Sequence, residues 1–305
     1  MSVPEHHPLH GLRARACVDW IELLVTLPAP SQFRHVKARA PAHWGRLFVD
    51  AIDGEASSYR FQLRIQDPGP PAQVFHELQS LSAHGPVLAE NVEVVGLELA
   101  VDFTPIVMGS HDLAQVAAYL HEHMAKPPDG PHRLLQQGRF QAASGRQAIT
   151  AALRTGYSLV IGERDATDAA RFYVKGYDTR DGQSYAPLPH AQHRARMERT
   201  MLGTTCPIRT LPGWRTFKFE ALAERFAMVL PTQDAAPLTV TIRTAYGPAL
   251  GRPDDPKRRT GHRRQSARAT RRDTPLNARI RQALRDLTER TRRAESAGIR
   301  GISSP

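Results

Sequence analysis

Apolar and polar residues alternate along several segments of this chain, which is the pattern of β-strands with one buried face. The clearest case is Tyr59 to Asp67, where Tyr, Phe, Leu and Ile alternate with Arg and Gln. Arg15 to Leu27 and Val92 to Phe103 are rich in β-branched and aromatic residues and are also predicted as strands. Between and after these strands, apolar residues recur at helical spacing. The predicted helices are His43 to Ile52, a segment that begins at Pro70 and Pro71, and Ser110 to Met124 with Ser110 as its cap.

The second half of the chain contains shorter strand-like runs joined by tight polar connections. The predicted elements are strands at Arg139 to Ala143, Tyr157 to Ile161, Ala170 to Tyr177 and His193 to Leu202, and a helix around Phe219 to Leu230. Strands that follow one another in this way favour antiparallel pairing. We therefore predict an α+β fold with curved, mainly antiparallel sheets and helices packed on one face. The strand-helix-strand order of the first half is also compatible with an α/β fold. The expected domain is 1–248, with halves at about 15–126 and 132–232.

Positive charge is concentrated at the C-terminal end. The chain of 305 residues has 41 Lys and Arg against 30 Asp and Glu, and residues 251–305 hold 16 of the bases and 6 of the acids. Because 252–273 lacks aliphatic and aromatic residues other than alanine, we expect 249–273 to be a disordered basic linker. Its charge favours an anionic polymer as partner, with DNA the first choice and a solvated tail without function the alternative. The predicted DNA contacts are Lys257, Arg258, Arg259, Arg263, Arg264, Arg268, Arg271 and Arg272.

An amphipathic basic helix is predicted over 274–305. Thr274 and Pro275 are its expected cap and first residue, and apolar residues follow at spacings of four, four and three from Leu276 to Leu287. Its apolar stripe also allows assembly with a second copy, so a homodimer is one expected partner.

Several classes of protein are excluded or disfavoured by the sequence. The most apolar stretches fall short of the ~20 residues that a membrane span needs, and no secretory signal is visible, so we expect a cytoplasmic protein without a membrane partner. Cys17 and Cys206 are too few for a disulfide framework or a zinc ribbon. No glycine-rich phosphate loop is present, so an ATP site is not predicted.

Three predicted strands carry chemically active residues on one face. Side chains alternate across a strand, which gives the sets Glu98 and Asp102; Arg171, Tyr173, Lys175 and Tyr177; and Arg194, Arg196, Glu198 and Thr200. If the strands are neighbours, these faces combine acids for a divalent cation, a tyrosine nucleophile and cations for phosphate, which is a phosphoryl-transfer site. Glu98 and Asp102 are separated by about 13 Å along a strand, so a second strand must supply a ligand, and Glu198 is the candidate. Carboxylate ligands suit Mg²⁺ or Mn²⁺. The alternative is a set of exposed polar faces with surface ion pairs.

The same segments resemble the ordered motifs of the Rep-trans family of replication initiation proteins. The matching strings are Leu97-Glu-Leu-Ala-Val-Asp-Phe103, Tyr157 to Gly162, Arg171-Phe-Tyr-Val-Lys-Gly-Tyr-Asp178 and Arg196-Met-Glu198, and Val18-Asp-Trp20 is similar to the family's start. Two departures from the pattern are Glu98 where the family has Asp and the acidic Glu-Arg-Asp after Gly162.

The resemblance implies a rolling-circle initiator that nicks DNA at a replication origin through a 5′-phosphotyrosine, with host helicase and polymerase as further partners. It places the nucleophile at Tyr173, with Tyr177 in reserve. Asp102 and Glu198 would then hold the metal with help from Glu98, and Lys175, Arg171 and Arg196 would neutralise phosphate charge. The alternative function is a non-catalytic DNA-binding regulator of replication or partition.

His121-Glu-His123 resembles the two-histidine metal signature of another class of nickase. On a helix, however, positions i and i+2 diverge by about 200°, so the two rings would not easily share one ion. We therefore expect this segment to be a solvated helix end.

Overall fold

The structure is a computed structural model that describes residues 7–44, 47–53, 57–136, 139–141, 146–163, 166–179, 185–231 and 270–302. The strands are β1 Leu12–Ser31, β2 Phe48–Ala51, β3 Ser58–Gln66, β4 Val92–Pro105, β5 His132–Gln136, β6 Arg139–Gln141, β7 Ser158–Ile161, β8 Asp168–Lys175, β9 Tyr177–Thr179, β10 Tyr185–Pro187, β11 Arg194–Leu202, β12 Val229–Pro231 and β13 Thr270–Arg272. The α-helices are α1 Phe33–Arg39, α2 Pro71–Leu78, α3 Leu113–Glu122, α4 Arg146–Arg154, α5 Leu211–Thr216 and α6 Thr274–Ile302.

Nine of the described strands form one antiparallel sheet in the order β2-β3-β1-β4-β11-β8-β7-β5-β6. The predicted α+β class is confirmed. β4 from the first half of the chain pairs with β11 from the second half, so the two predicted halves share a continuous sheet. The β9–β10 and β12–β13 hairpins lie outside it.

Two predicted helices are wrong in type. The segment 43–52 is a short 3-10 turn, Ala42–Trp44, followed by β2, because the residues after the turn pair with β3. The segment 219–230 is a 3-10 helix, Phe219–Phe226, followed by β12. Phe219 and Phe226 are nevertheless buried, so the 3-10 helix places the apolar residues of this segment in the core as an α-helix would have done.

Two helix starts differ from those predicted, because an aspartate rather than a hydroxyl residue provides the cap. The side chain of Asp112 accepts a hydrogen bond from the backbone N–H of Ala114, so α3 begins after Ser110. At α6 the Oδ1 atom of Asp273, not Thr274, accepts from the N–H of Leu276 at 3.2 Å. An ionised cap also interacts favourably with the positive end of the helix dipole.

The apolar side chains of the sheet and of the helices form one hydrophobic core. α6 contributes Leu276, Ile280 and Leu284 to this core and packs on β1, so its own chain covers the stripe that we expected to be available for assembly. The predicted separate C-terminal unit is therefore part of the main fold.

The end of the predicted linker is also ordered. Residues 270–272 pair with β12, and Asp273 is fully buried, where it bonds to Nε2 of His7 at 2.8 Å. The predicted disorder was wrong for these residues, because the backbone of 270–272 and the side chain of Asp273 form hydrogen bonds within the fold. The rest of the linker lies outside the described residues.

Among the described residues, no helix combines the length and apolar character needed to cross a membrane.

Candidate active site on the polar face of the sheet

The three strands that carry the predicted chemistry are adjacent in the sheet. Arg196 on β11 stands opposite Asp102 on β4 and Tyr173 on β8. Thr200 stands opposite Glu98 on β4. Directly paired residues project their side chains to the same face, so the predicted polar faces share one surface.

A β-bulge brings a residue from a fourth strand into this surface. Val18 of β1 pairs with Leu99, whereas Trp20 pairs with Glu98, which leaves Asp19 as the extra residue. A bulge of this kind redirects side chains and is frequent beside active sites. The extra residue places the Asp19 carboxylate next to those of β4 and β11.

Three carboxylates converge at this point. Oxygen atoms of Asp19, Glu98 and Glu198 lie within 4.8 Å of one another. Glu198 is only 1% exposed, and its Oε2 atom is buried without a hydrogen-bond partner. A buried carboxylate oxygen without a partner is costly unless a cation compensates it. The all-oxygen donor set fits Mg²⁺ or Mn²⁺ and does not resemble a zinc site of histidine and cysteine.

Asp102 lies on the same face but is separate from this group. Its Oδ1 atom accepts from Nε of Arg196 at 2.6 Å, and its Oδ2 atom accepts from Nη2 of Arg196 and from Nε of Arg194, both at 2.9 Å. Both oxygens are therefore engaged by guanidinium groups. The structure does not place Asp102 in the carboxylate cluster, where the sequence analysis expected it, and Asp19 occupies that place instead.

Tyr173 is in direct contact with the carboxylate group. Its Oη donates to Oε1 of Glu198 at 2.6 Å, and the guanidinium of Arg171 lies 4.6 Å from the centre of its ring. Arg171 also places Nη1 3.9 Å from Oε2 of Glu198. The predicted nucleophile, one predicted metal ligand and one predicted phosphate contact are thus brought together.

Lys175 and Tyr177 lie further along the same segment. Lys175 is 3.7 Å from a carboxylate oxygen of Asp178. Tyr177 begins β9, outside the nine-stranded sheet, and is 59% exposed. Tyr177 therefore has solvent access, but the structure records no bond between it and the carboxylates.

Arg196 is the central cation of the surface and is almost fully buried. Besides Asp102, it bonds to Asp19 through Nη1 and lies 3.6 Å from Oε1 of Glu198. With 2% exposure, its guanidinium organises the carboxylates from within and has little surface left to offer a phosphate.

Burial and mutual repulsion change the protonation of these groups. Burial, followed by the charges of Glu198 and Asp19, raises the pKa of Glu98 to about 8. Burial and then the charge of Asp19 also raise the pKa of Glu198. The pKa of Tyr173 lies well above its ordinary value because the phenol is buried beside Glu198. Without a bound cation, the cluster therefore favours a retained proton.

Cys17 lies beside this site but is unsuited to nucleophilic chemistry. Burial is the largest of the effects that raise the pKa of its thiol to about 12, so the thiolate is scarce at neutral pH. Nη2 of Arg196 lies 3.6 Å from its sulfur.

The His121-Glu-His123 segment is not a solvated helix end, and that prediction was wrong. Both histidines are less than a tenth exposed. Nε2 of His121 lies 2.9 Å from Nδ1 of His132, and Nδ1 of His123 bonds to the carbonyl of Tyr119. The two rings contact different partners, in agreement with their divergence on the helix.

The predicted DNA contacts fall mostly in the segment that lies outside the described residues, which includes Lys257, Arg258, Arg259, Arg263, Arg264 and Arg268. Arg271 and Arg272 are on β13. The guanidinium of Arg272 donates to both carboxylate oxygens of Glu224 at 2.7 Å.

Comparison with known proteins gives likeness to solved structures but no sequence match. No family model matches the chain, and no curated protein matches it. Among solved structures, the chain is similar to a rolling circle replication initiator protein from Geobacillus stearothermophilus, with a TM-score of 0.31 and 12% identity over 63% of this chain and 76% of that one.

Proposed function

We propose that this protein is a metal-dependent DNA-nicking enzyme that initiates rolling-circle replication through a 5′-phosphotyrosine intermediate. The observation that supports the proposal is the contact between Tyr173 and a cluster of three carboxylates, one of which has a buried oxygen without a hydrogen-bond partner. DNA is proposed as the substrate because the short motifs of the chain and their order resemble those of the Rep-trans family.

Asp19, Glu98 and Glu198 are the residues that would hold a divalent cation. Such a cation, when bound, polarises the scissile phosphate and stabilises charge on its oxygens. The Oε2 atom of Glu198 is the best-placed ligand, since it is buried and accepts no hydrogen bond. Asp102 keeps a different role, because it fixes Arg194 and Arg196 in position.

Tyr173 is the proposed nucleophile. Its Oη attacks phosphorus as its proton passes to Oε1 of Glu198, to which it already donates. The new bond joins Oη to phosphorus, and the bond from phosphorus to the 3′ oxygen breaks. The DNA is left with a 3′ hydroxyl, which takes its proton from water, and the 5′ phosphate remains on the tyrosine. A host polymerase could extend that hydroxyl, and a host helicase would separate the strands.

Arg171 is the proposed phosphate contact at the site. Its side chain is 47% exposed, so it can meet a DNA strand while it remains close to Tyr173 and Glu198. Lys175, whose side chain is 15% exposed, would add a second positive charge near the phosphate. A positive charge beside the phenol also favours the developing phenolate.

The proposal is tested with supercoiled DNA that carries the regions flanking the coding sequence, incubated with the protein and Mg²⁺ or Mn²⁺. We expect nicked circles and a covalent adduct on the 5′ end, both abolished by EDTA. Binding that persists in EDTA with no nicking in any divalent cation would instead support a non-catalytic DNA-binding regulator.

A further inference from the structure

A line of arginines runs along the outer side of α6. Arg281, Arg285 and Arg292 lie within about 40° of one another around the helix axis and extend over about 16 Å. All three are exposed. We call this set the basic ridge.

The basic ridge has no carboxylate partner within ion-pair distance among the described residues, although neighbouring arginines do. Arg293 pairs with Glu289 at 3.2 Å, and Arg215 pairs with Glu295 at 2.5 Å. Glu220 interacts with Arg285, but its Oε2 atom accepts a hydrogen bond from the hydroxyl of Thr288. Lys218 is exposed on the same side and adds a fourth positive charge.

The rest of α6 is firmly seated, so the ridge is presented by an ordered surface. Leu276, Ile280 and Leu284 are buried in the core, and Thr288 accepts from the N–H of Phe219. A row of exposed guanidinium groups on an ordered helix can contact the phosphates of a duplex, and arginine is the residue best suited to such contacts.

We infer that the basic ridge is a contact surface for the phosphates of duplex DNA, separate from the strand held at Tyr173. The choice of DNA rests on the proposed function. The separation rests on the fold, because α6 packs on the apolar face of the sheet and the carboxylate cluster lies on the opposite face. The ridge would therefore hold flanking duplex and not the scissile strand. The basic segment 252–272 precedes α6 in the sequence, so the positive charge is not confined to the helix.

The test compares the full chain with a variant that carries Arg281→Gln, Arg285→Gln and Arg292→Gln. A second variant with Arg34→Gln, Lys37→Gln and Arg39→Gln removes the same charge from the exposed side of α1 and is the control. Binding to a short labelled duplex is measured by fluorescence anisotropy over a range of salt concentrations, and circular dichroism confirms that each variant is folded. Cleavage of a short single-stranded oligonucleotide that spans the nick site is measured in parallel.

We expect the ridge variant to bind duplex on the order of a hundredfold more weakly near 0.1 M salt, with a salt slope smaller by about 2 to 3. Its cleavage of the short single strand should equal that of the unaltered chain. An unchanged salt slope, or an equal loss in the α1 control, would overturn the inference. Tighter binding of the unaltered chain to polyglutamate than to duplex would also overturn it and indicate an acidic protein partner. Because duplex binding is measured without cleavage, failure of the nicking proposal would leave this result interpretable.

Discussion

The two faces of the central sheet are built from alternate residues of the same strands, and they are organised in opposite ways. On β4, Leu97, Leu99 and Val101 are fully buried in the core, whereas Glu98 and Asp102 project to the other side. The apolar face gains stability from every side chain that it buries. The polar face instead buries charges that repel one another or need arginine partners, which costs stability unless a ligand compensates. Such a contrast within one strand indicates a surface shaped by function.

The largest expected effect is on the proposed reaction. Tyr173→Phe should remove the nucleophile and reduce nicking by roughly a thousandfold or more, with loss of the covalent adduct. Because the phenol donates a single hydrogen bond to Glu198, the fold should be retained. Tyr177→Phe is the matched control and should nick normally. The assignment fails if the two variants behave in the reverse way, and the attack is not by either tyrosine if both remain active.

A substitution at Asp102, which is bonded to two arginines on the polar face, should lower the stability of the protein. Asp102→Ala removes the carboxylate that accepts two hydrogen bonds from the buried Arg196 and one from the partly buried Arg194, so we expect a loss of about 3–5 kcal/mol in the free energy of unfolding. Urea denaturation measures this directly. A loss below about 1 kcal/mol would show that water or another group replaces the carboxylate.

The comparison between the faces is sharpest at two adjacent residues of β4. Leu99→Ala should lower the free energy of unfolding by about 2–5 kcal/mol, because it leaves a cavity in the core.

Glu98→Gln should raise the free energy of unfolding at pH 8 in EDTA, since the folded state raises the pKa of Glu98 to about 8 from an ordinary value near 4.5. Between these values the folded state holds more protons than the unfolded chain, so stability falls as pH rises. Between pH 5 and pH 8 the free energy of unfolding, measured by denaturation, should fall less for Glu98→Gln than for the unaltered chain. An equal fall in the two proteins would refute this explanation.

A smaller effect is expected at the histidine pair on the core side. Burial lowers the pKa of His132 to about 4 and that of His121 well below its ordinary value. For such groups stability is fully present above pH 6.5 and is lost as pH falls toward 4. His132→Asn should reduce this dependence, as measured by thermal unfolding across the same range. An unchanged slope would show that other groups dominate acid unfolding.

Alternation predicted most of the sheet and the convergence of Tyr173 with Glu98 and Glu198, because the period of a strand fixes which side chains share a face. It could not predict Asp19, since a bulge adds one residue and changes the count without a local signal. The only trace of that aspartate in the sequence was its place in the string Val18-Asp-Trp20.

The place of Asp102 and the helix boundaries depended on neighbours that the sequence does not reveal. Nothing in the pattern of β4 shows that Arg194 and Arg196 would occupy both oxygens of Asp102, because that depends on the register between β4 and β11. The caps at Asp112 and Asp273 likewise displaced the predicted hydroxyl caps through local competition for the same backbone N–H groups.

The central claim is that Asp19, Glu98 and Glu198 bind a divalent cation beside Tyr173. Titration of the protein with Mn²⁺, followed by electron paramagnetic resonance, tests it directly under conditions where each variant is folded. We predict one bound ion in the unaltered chain, at least a roughly tenfold weaker affinity in Asp19→Asn, and an almost unchanged affinity in Asp102→Asn. Absence of binding in the unaltered chain, or a loss in Asp102→Asn with none in Asp19→Asn, would contradict the proposed site.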